Sequence, residues 1–444
     1  MNAPAPTASA PHTRTAPQDY ADVWYRRQIP APAPARPALK GTIDTDICII
    51  GGGLAGLTAA HELARAGRRV VLVDQHRVGW GASGRNGGFV SPGYAQGFDK
   101  IAARVGEPAA IELHKMSIEG MEIVAGNIRD LGITEAHPQP GIFGMVRYDA
   151  GKALAQRRDW LLRTFGYEVE HLDRAGLSRH VTSPVYHQAL HDANAFHFDP
   201  LAYARGLARA AESLGAQVFE ATPATAIERE GAGRIVRTPE GRINAQHVVV
   251  TTGGYTTGLV PAMARAFLPI ATYVMVTRAD PDLIARAIHT TSAIGDDRRA
   301  GDYYRLVEGG KRILWGGKIT TRTTEPRHLG RLLHRTMTST YPQLAGLEIE
   351  MVWSGLMSYA RHLMPQIGQV EPGLWHATAF GGHGMNTTTI GGRVIAEAIL
   401  GQSERWRRFT PFGLDWTGGL IGMAAVQLTY WKLQAEDYWR ERKG

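Results

Sequence analysis

The chain of 444 residues carries 49 Lys and Arg against 41 Asp and Glu, a formal charge of +8, and 44% of its residues are hydrophobic. This composition is typical of a globular protein with more than one domain. The basic residues are scattered rather than clustered beside aromatic residues, which argues against nucleic-acid binding. The positive charge instead favours an anionic substrate or cofactor.

The chain has a single cysteine, Cys48, so neither an internal disulfide nor a cysteine zinc site is expected, and no metal site is predicted. Cys48 lies in the apolar segment DICII and is interpreted as a core residue. No apolar run is long enough to span a membrane, and the N-terminus lacks the apolar core of a secretory signal. A cytoplasmic location is therefore expected, with residues 1–42 forming a disordered Pro/Ala-rich tail and an N-terminal arm.

The segment TDICIIGGGLAGLTAAHELARAGRRVVLVDQ, residues 45–75, predicts a strand, a glycine turn, a helix and a second strand. Gly51 allows the tight turn, Gly53 a close approach to a pyrophosphate, and Gly56 close packing of helix and strand. Asp74 ends the second strand, where a carboxylate accepts hydrogen bonds from a ribose hydroxyl. The combination predicts dinucleotide binding, and the alternative is an ordinary βαβ unit with glycine turns.

A second glycine-rich segment, VGWGASGRNGGFV at residues 78–90, follows the second strand. It has few side chains to pack, so its backbone is expected to lie against a ligand. The strand HVVVTTGGY, residues 247–255, ends at another glycine pair. A cofactor that extends across several such loops favours FAD over NAD.

Near the C-terminus, the segment AFGGHGMNTTTIGGRVIAEAIL, residues 379–400, again places glycines before a predicted helix. Backbone N–H groups and the helix dipole at such a site favour negative charge. The alternative is a helix start whose glycines serve only close packing.

These motifs occur in an order that resembles the FAD-dependent amine oxidoreductases of the D-amino acid oxidase superfamily, and among them the gamma-glutamylputrescine oxidase-like enzymes. The resemblance is carried by IIGGGLAGLTAA, GASGRNGGF, HVVVTTGGY, WSGLMSYARHLMPQIG and FGGHGMNTTTIGGRVIAEAI, and covers the chain from about residue 20 to the end. It implies an α/β fold in which a Rossmann-like FAD-binding domain is interleaved with a substrate domain built on an antiparallel sheet.

The FAD-binding domain is expected to comprise residues 43–98, 197–265 and 355–410, and the substrate domain residues 99–196 and 266–354. Substrate-domain strands are predicted at 269–277, 302–307 and 311–320. Residues 411–444 form a C-terminal helical segment. The helical face of Leu420, Met423, Gln427, Tyr430 and Trp431 is expected either to dock on the body of the chain or to bind a partner subunit or a membrane.

The resemblance implies noncovalent FAD. The first glycine loop is expected to hold the pyrophosphate, and the last one the pyrimidine edge of the flavin, where negative charge grows on reduction. The residues predicted to bind FAD are Gly51, Gly53, Leu54, Ala55, Gly56, Asp74, Gln75, Gly81, Ala82, Ser83, Arg85, Asn86, Gly87, Gly88, Ala224, Gly253, Gly382, His383, Gly384, Met385, Asn386 and Thr387.

The resemblance also implies oxidation of a C–N bond by hydride transfer from a neutral primary or secondary amine to flavin N5, followed by imine hydrolysis to a carbonyl product. The expected substrate resembles gamma-glutamylputrescine or carries another distal anionic group, with oxygen as acceptor and hydrogen peroxide as product. The alternatives are an amino acid oxidase or dehydrogenase (D-amino acid, glycine or sarcosine type) that passes electrons to a carrier, and a flavoprotein used for binding or electron shuttling.

Because the flavin carries the reaction, no catalytic side chain is assigned. His383 is a candidate base, although a structural hydrogen-bonding role is favoured, and Lys318 is a candidate charge for oxygen reduction. Arg305 and Lys318 are candidates for binding an anionic group, or else solvated charges. The aromatic residues Tyr303, Tyr304, Trp315 and Trp353 are predicted to contact substrate in part, the alternative being an aromatic core.

Two departures from the resemblance concern substrate binding. Asn386 stands where sarcosine oxidase-like members carry a lysine that helps to bind the substrate carboxylate. No second arginine follows Arg85 in the segment NGGFVSPGYAQ. Both departures argue against N-methylglycine as the substrate.

Overall fold

The computed structural model describes residues 20–29, 35–256, 258–298, 301–321, 326 and 328–443. Two β-sheets, of eight and nine strands, organise this part of the chain. The strands are, in chain order, β1 Gly41–Ile50, β2 Val70–Val73, β3 Phe89–Val90, β4 Gln139–Val146, β5 Glu170–Leu172, β6 Gln188–His197, β7 Gln217–Phe219, β8 Ala226–Glu230, β9 Gly233–Thr238, β10 Gly241–Val250, β11 Leu268–Thr277, β12 Ala293–Asp296, β13 Tyr303–Val307, β14 Arg312–Thr320, β15 Ile349–Tyr359, β16 Gln366–Glu371 and β17 Leu374–Thr378.

Helices cover the sheets and connect their strands. They are α1 Trp24–Arg27, α2 Leu54–Arg65, α3 Phe98–Val105, α4 Glu107–Asp130, α5 Gly151–Phe165, α6 Arg174–Leu177, α7 Pro200–Ser213, α8 Pro261–Ala264, α9 Pro281–Ile284, α10 Leu329–Thr340, α11 Gly384–Ile399 and α12 Gly419–Lys443. Helix α2 packs against both α7 and α11, and α11 also packs against α4. Their apolar side chains and those of β1 and β2 form the largest core cluster.

The first sheet has the strand order β16-β17-β10-β1-β2-β7, with β8 and β9 added through β10. Strands β17, β10, β1, β2 and β7 run parallel to one another. β2 is buried at every position, as is typical of a parallel strand covered on both faces. Parallel strands share one carboxyl edge, so the glycine-rich segments that follow β1, β10 and β17 are brought together there.

The second sheet has the strand order β15-β11-β14-β13-β12-β4-β6-β3, with β5 paired to β6. Its pairs are antiparallel except for the parallel pair β12–β4. The strands predicted at 269–277, 302–307 and 311–320 are observed as β11, β13 and β14. The predicted α/β class, with a mainly parallel sheet and a mainly antiparallel one, is confirmed.

The predicted domain boundaries stay a prediction, but the strands can be compared with them. Every strand of the first sheet begins within the predicted FAD-binding segments 43–98, 197–265 and 355–410, except β1, which begins two residues earlier at Gly41. Strands of the second sheet also extend into the segments predicted for the FAD-binding domain. β3 lies within the segment 43–98 that was assigned to the FAD-binding domain, and β15 continues past residue 355 to Tyr359.

The N-terminal arm is defined here as residues 20–29. Residues 1–19 and 30–34 of the predicted disordered tail lie outside the described residues. Val23, Trp24 and Tyr25 of the arm are buried and pack with Leu314 and Trp353 of the second sheet. This part of the N-terminus is therefore built into the fold.

Helix α12 lies along the second sheet. Gln427 Oε1 accepts hydrogen bonds at 3.3 Å from the Thr320 hydroxyl and the Thr321 N–H. Of the other predicted face residues, Leu420 and Trp431 are 80% and 58% exposed. The helix thus contacts the body of the chain through one side and leaves these two side chains in solvent. No helix in the described ranges is long and apolar enough to cross a membrane.

Glycines let the helices around α11 approach one another closely. A Cβ at Gly120 of α4 would lie 2.4 Å from the Asn386 carbonyl oxygen, and a Cβ at Gly392 would lie 2.4 Å from the Ala55 carbonyl oxygen. These contacts leave no room for a side chain, so they fix the position of α11 between α2 and α4.

Gly120 and Gly126 form a matched pair of helical glycines within α4. A Cβ at Gly126 has no neighbour closer than 3.8 Å, so Gly126→Ala should raise the free energy of unfolding by about 0.5–1 kcal/mol. Gly120→Ala should lower it by about 1–3 kcal/mol because α11 must move. Urea unfolding of both variants checks this, and equal effects of the two substitutions would contradict the packing role.

Candidate active site

A cavity of about 440 Å³ lies between the carboxyl edge of the first sheet and one face of the second. It is bordered by the residues that follow β1, β2, β10 and β17, which begin at Gly51, Asp74, Thr251 and Ala379 respectively. Its volume is within the range of ligand and cofactor sites, and its position at the ends of parallel strands is the usual one in α/β proteins.

Most of the residues predicted to bind FAD line this cavity. They are Gly51, Gly53, Leu54, Ala55, Asp74, Gln75, Gly81, Ala82, Ser83, Arg85, Asn86, Gly87, Ala224, Gly253, Gly382, His383, Gly384, Met385 and Asn386. Gly56, Gly88 and Thr387 do not line it. A Cβ at Gly88 would lie 2.1 Å from the Phe198 carbonyl oxygen, and the Thr387 hydroxyl donates to the His383 carbonyl.

The first glycine turn is shaped by contacts that exclude side chains. A Cβ at Gly56 would lie 2.1 Å from the Gly51 carbonyl oxygen, and a Cβ at Gly51 would lie 2.8 Å from the Thr251 carbonyl oxygen. Gly53 differs, because the one atom near its Cβ position is Ser83 Oγ at 3.1 Å. Its open side faces the cavity, as a close approach by a pyrophosphate requires.

Asp74 is buried at the end of β2. Its two carboxylate oxygens accept hydrogen bonds from the N–H groups of Gly52, at 2.6 Å, and His76, at 2.7 Å. Burial raises the pKa of Asp74 to about 6, although these two hydrogen bonds act in the opposite direction. The carboxylate therefore orders both neighbouring turns and keeps further lone pairs for a ligand hydroxyl.

The segment 81–88, which we call the flavin loop after its predicted ligand, is shaped by Asn86. The Asn86 amide donates to the Ala82 carbonyl at 2.9 Å and accepts from the Gly88 N–H at 2.7 Å. The Arg85 guanidinium lies 4.0 Å from the Trp80 ring centroid and donates to the Trp80 carbonyl. Arg85 therefore lines the cavity with its charge held against an aromatic ring.

The last glycine loop ends at His383, the residue before α11. Gly382, His383 and the first turn of α11 line the cavity, which places a helix N-terminus at its wall. Burial lowers the pKa of His383, so its imidazole is neutral at neutral pH. Asn386 donates to the Ser117 carbonyl of α4 at 3.1 Å. Its amide thus ties α11 to α4. It supplies no positive charge at the position where the resemblance implied a carboxylate-binding lysine in sarcosine oxidase-like members.

The four predicted aromatic contacts separate in the structure. Tyr303 lines the cavity, whereas Tyr304 and Trp315 stack at 4.0 Å in the core on the opposite face of the sheet. The reason is strand alternation, which turns successive side chains to opposite faces. Trp353 is buried and donates its indole N–H to the Arg85 carbonyl at 2.8 Å, so it lies behind the flavin loop.

Several residues that line the cavity were not predicted. They are Phe89, Tyr255, Thr272, Ile319 and Tyr359. Tyr255 and Tyr359 belong to the motifs HVVVTTGGY and WSGLMSYARHLMPQIG, and this membership was the sequence signal that could have identified them as cavity residues. Thr272 and Ile319 pair across β11 and β14 beside a bulge, which sequence periodicity does not reveal.

The structure brings neither Arg305 nor Lys318 to the cavity. Arg305 is 8% exposed and donates to the carbonyls of Gly87, at 2.8 Å, and Phe198, at 3.0 Å. It is therefore neither a ligand for an anionic substrate at this wall nor a solvated charge. Lys318 is half-buried at the bulge of β14 with a φ of 58°, and does not line the cavity.

A family model described as DAO, FAD dependent oxidoreductase, matches residues 46–398. The chain belongs to this family. Gamma-glutamylputrescine oxidoreductase of Escherichia coli K12 is 33% identical over 84% of this chain and 87% of its own length. The probable oxidoreductase OrdL of Haemophilus influenzae is 32% identical over 83% and 86%.

Solved structures show the same fold. The glycine oxidase of Geobacillus kaustophilus matches with a TM-score of 0.70 at 20% identity, over 84% of this chain and 99% of that protein. The predicted family, interleaved fold and FAD dependence are thus confirmed. This DAO-family protein is an FAD-dependent oxidoreductase of the amine and amino-acid type. Its single cysteine, Cys48, is fully buried in β1, which agrees with the noncovalent binding predicted.

Gly53→Val should abolish FAD binding, because the branched side chain fills the open side of the first turn. The variant should purify colourless, without the visible absorbance of bound flavin. Gly144→Val is the control, since Gly144 lies exposed on β4 with its nearest neighbour at 3.8 Å. Full flavin content in Gly53→Val would contradict the assignment.

Asp74 gives the apoprotein a pH-dependent stability. Its native pKa of about 6 lies above its unfolded value of 3.8, so the native state binds the proton more tightly and stability falls as pH rises between these values. The loss is on the order of 2–3 kcal/mol relative to Asp74→Asn. Urea unfolding of both apoproteins from pH 4 to 7 checks this, and parallel curves would refute it.

Proposed function

We propose that this protein oxidises a primary or secondary amine whose reacting carbon carries no carboxylate. The observation that carries this proposal is the scarcity of cationic side chains at the cavity. Among the residues that the structure describes, Arg85 is the single Lys or Arg that lines it, and its guanidinium stacks on Trp80. Among these residues, an amino acid substrate would find no charged partner for its carboxylate other than the stacked Arg85.

The residues fit FAD on physical grounds. The open side of Gly53 and the N-terminus of α2 would hold the pyrophosphate, and Asp74 would accept from a ribose hydroxyl. The flavin loop and the N-terminus of α11 would border the ring system, with backbone N–H groups that stabilise negative charge. Bound FAD supplies a two-electron acceptor for the C–N bond.

The protein's own part is to bind and orient the amine. Tyr303, Tyr359 and Ile319 give the substrate side an aromatic and apolar surface, which suits an aliphatic chain or a cationic amine. His383, kept neutral by burial, adds no positive charge that would repel such an amine. We favour a structural hydrogen-bonding role for His383, as the sequence suggests, over a role as a general base.

The substrate proposed is gamma-glutamylputrescine or a similar amine, in line with the name of the 33% identical relative. Its carboxylate lies far from the reacting carbon, so it needs no cation beside the flavin ring. The overall reaction converts R–CH₂–NH₂, O₂ and H₂O into R–CHO, NH₃ and H₂O₂. The alternative is an amino acid oxidase, or a dehydrogenase that passes electrons to a carrier. The cytoplasmic location expected from the sequence stays a prediction.

The test is anaerobic mixing of the holoenzyme with gamma-glutamylputrescine and with a matched pair, butylamine and its C1-carboxylate norvaline in both enantiomers. We expect loss of flavin absorbance with the amines at a rate at least about tenfold above that with norvaline, because a buried unpaired carboxylate costs over 1.4 kcal/mol. Air should then restore the absorbance and yield one H₂O₂ per amine.

Three outcomes would overturn this proposal in whole or in part. Equal or faster bleaching by either enantiomer of norvaline would establish an amino acid substrate. Bleaching by amines without recovery in air, but with recovery on adding an artificial electron acceptor, would establish a dehydrogenase. No bleaching by any amine would reject the proposed substrate class.

A further inference from the structure

Three consecutive carbonyl groups of the flavin loop are each bound by a side chain from a distant part of the chain. The Trp353 indole donates to the Arg85 carbonyl at 2.8 Å, and the Tyr25 hydroxyl donates to the Asn86 carbonyl at 2.6 Å. Arg305 Nε donates to the Gly87 carbonyl at 2.8 Å. The three peptide planes that begin at these carbonyls are thereby fixed.

The orientation of a carbonyl determines the orientation of the next N–H, because the two are opposed across a planar trans peptide. The N–H groups concerned belong to Asn86, Gly87 and Gly88. That of Gly88 donates to Asn86 Oδ1 at 2.7 Å. Those of Asn86 and Gly87 have no acceptor among the residues that the structure describes, and both residues line the cavity.

The three donors form one buried unit. Arg305 also donates to the Tyr25 hydroxyl at 3.2 Å, and the Tyr25 and Trp353 rings meet edge to face with centroids 6.3 Å apart. Tyr25 and Trp353 are 1% and 3% exposed. On the loop itself, a Cβ at Gly87 would lie 2.6 Å from the Tyr303 ring, so this ring packs directly against Gly87 and leaves no room for a side chain there.

We propose that Tyr25, together with Arg305 and Trp353, is a positioning residue that aims the Asn86 and Gly87 N–H groups at the ring system of bound FAD. An N–H pair directed at the flavin favours the reduced ring, which carries more negative charge. The N-terminal arm, which precedes the matched residues 46–398, is on this inference part of the cofactor site.

The competing explanation is that Tyr25 merely anchors the arm. Tyr20 supplies a matched control, because its hydroxyl makes the same kind of hydrogen bond from the same arm, to the Val78 carbonyl at 3.0 Å. Val78 lies outside the flavin loop and does not line the cavity. An anchoring role predicts equal effects of Tyr20→Phe and Tyr25→Phe, whereas positioning predicts that they differ at the flavin.

The experiment removes FAD from wild type, Tyr25→Phe and Tyr20→Phe and measures apoprotein melting, the Kd for added FAD, and the flavin reduction potential. Tyr25→Phe should weaken FAD binding about five- to tenfold, the effect of one lost hydrogen bond, and shift the potential to more negative values. Tyr20→Phe should leave the Kd for FAD and the flavin reduction potential at the wild-type values. It should lower the apoprotein melting temperature about as much as Tyr25→Phe does.

Trp353→Phe extends the test to a second donor, since it removes the indole N–H but keeps an aromatic ring. It should shift the potential in the same direction as Tyr25→Phe, and it decides the matter if Tyr25→Phe does not fold. An unchanged potential in the variants that fold, or equal changes in Tyr20→Phe and Tyr25→Phe, would overturn the proposal.

Discussion

Close backbone contact at the turn between β1 and α2 is the constraint on which the rest of the site depends. The Thr251 hydroxyl donates to the Ile50 and Gly51 carbonyls at 3.2 and 3.0 Å, and a Cβ at Gly56 would collide with Gly51. The ends of β1 and β10 and the start of α2 thus pack as one unit. Gly51, Gly52 and Gly53 of this unit line the cavity without side chains, and such exposed backbone is what a phosphate-bearing cofactor requires.

The parts of the site that follow from local geometry could be predicted from the sequence. Glycine turns after strands are local features, and parallel pairing brings them to a common edge, so Gly53, Asp74 and the loop before α11 all line the cavity. The parallel pairing of these strands could also be predicted, because continuous apolar strands such as β2 are typical of a parallel sheet.

The cavity wall formed by the second sheet could not be predicted in the same way, because it depends on which face of a strand each residue occupies. Tyr303 and Tyr304 are adjacent in sequence yet lie on opposite faces, and the bulge beside Thr272 shifts the register of the neighbouring strand. Arg305 shows a second limit. Its acceptors include the Gly87 carbonyl, 218 positions away, and no local pattern distinguishes such a buried arginine from a charged edge residue.

The buried carboxylate of Glu220 also joins segments that are distant in the sequence. Glu220, fully buried, accepts from the backbone N–H groups of Arg36 and Val78, both at 2.9 Å, and pairs with Arg77 at 3.0 Å. Removing one partner of a buried charge pair typically costs about 3–5 kcal/mol. The stretch after β2 and the segment that leads into β1 are therefore held by one charged group.

These attachments bear on where the working unit of this protein begins. A chain trimmed to the matched residues 46–398 would keep every glycine motif by which the family is recognised. It would nevertheless lack the Tyr25 hydroxyl that binds the Asn86 carbonyl, the Arg36 N–H that binds Glu220, and the Gln427 side chain that docks α12. The matched range therefore contains the glycine loops without several of the groups, before and after it in the sequence, that contact the flavin loop, Glu220 and the second sheet.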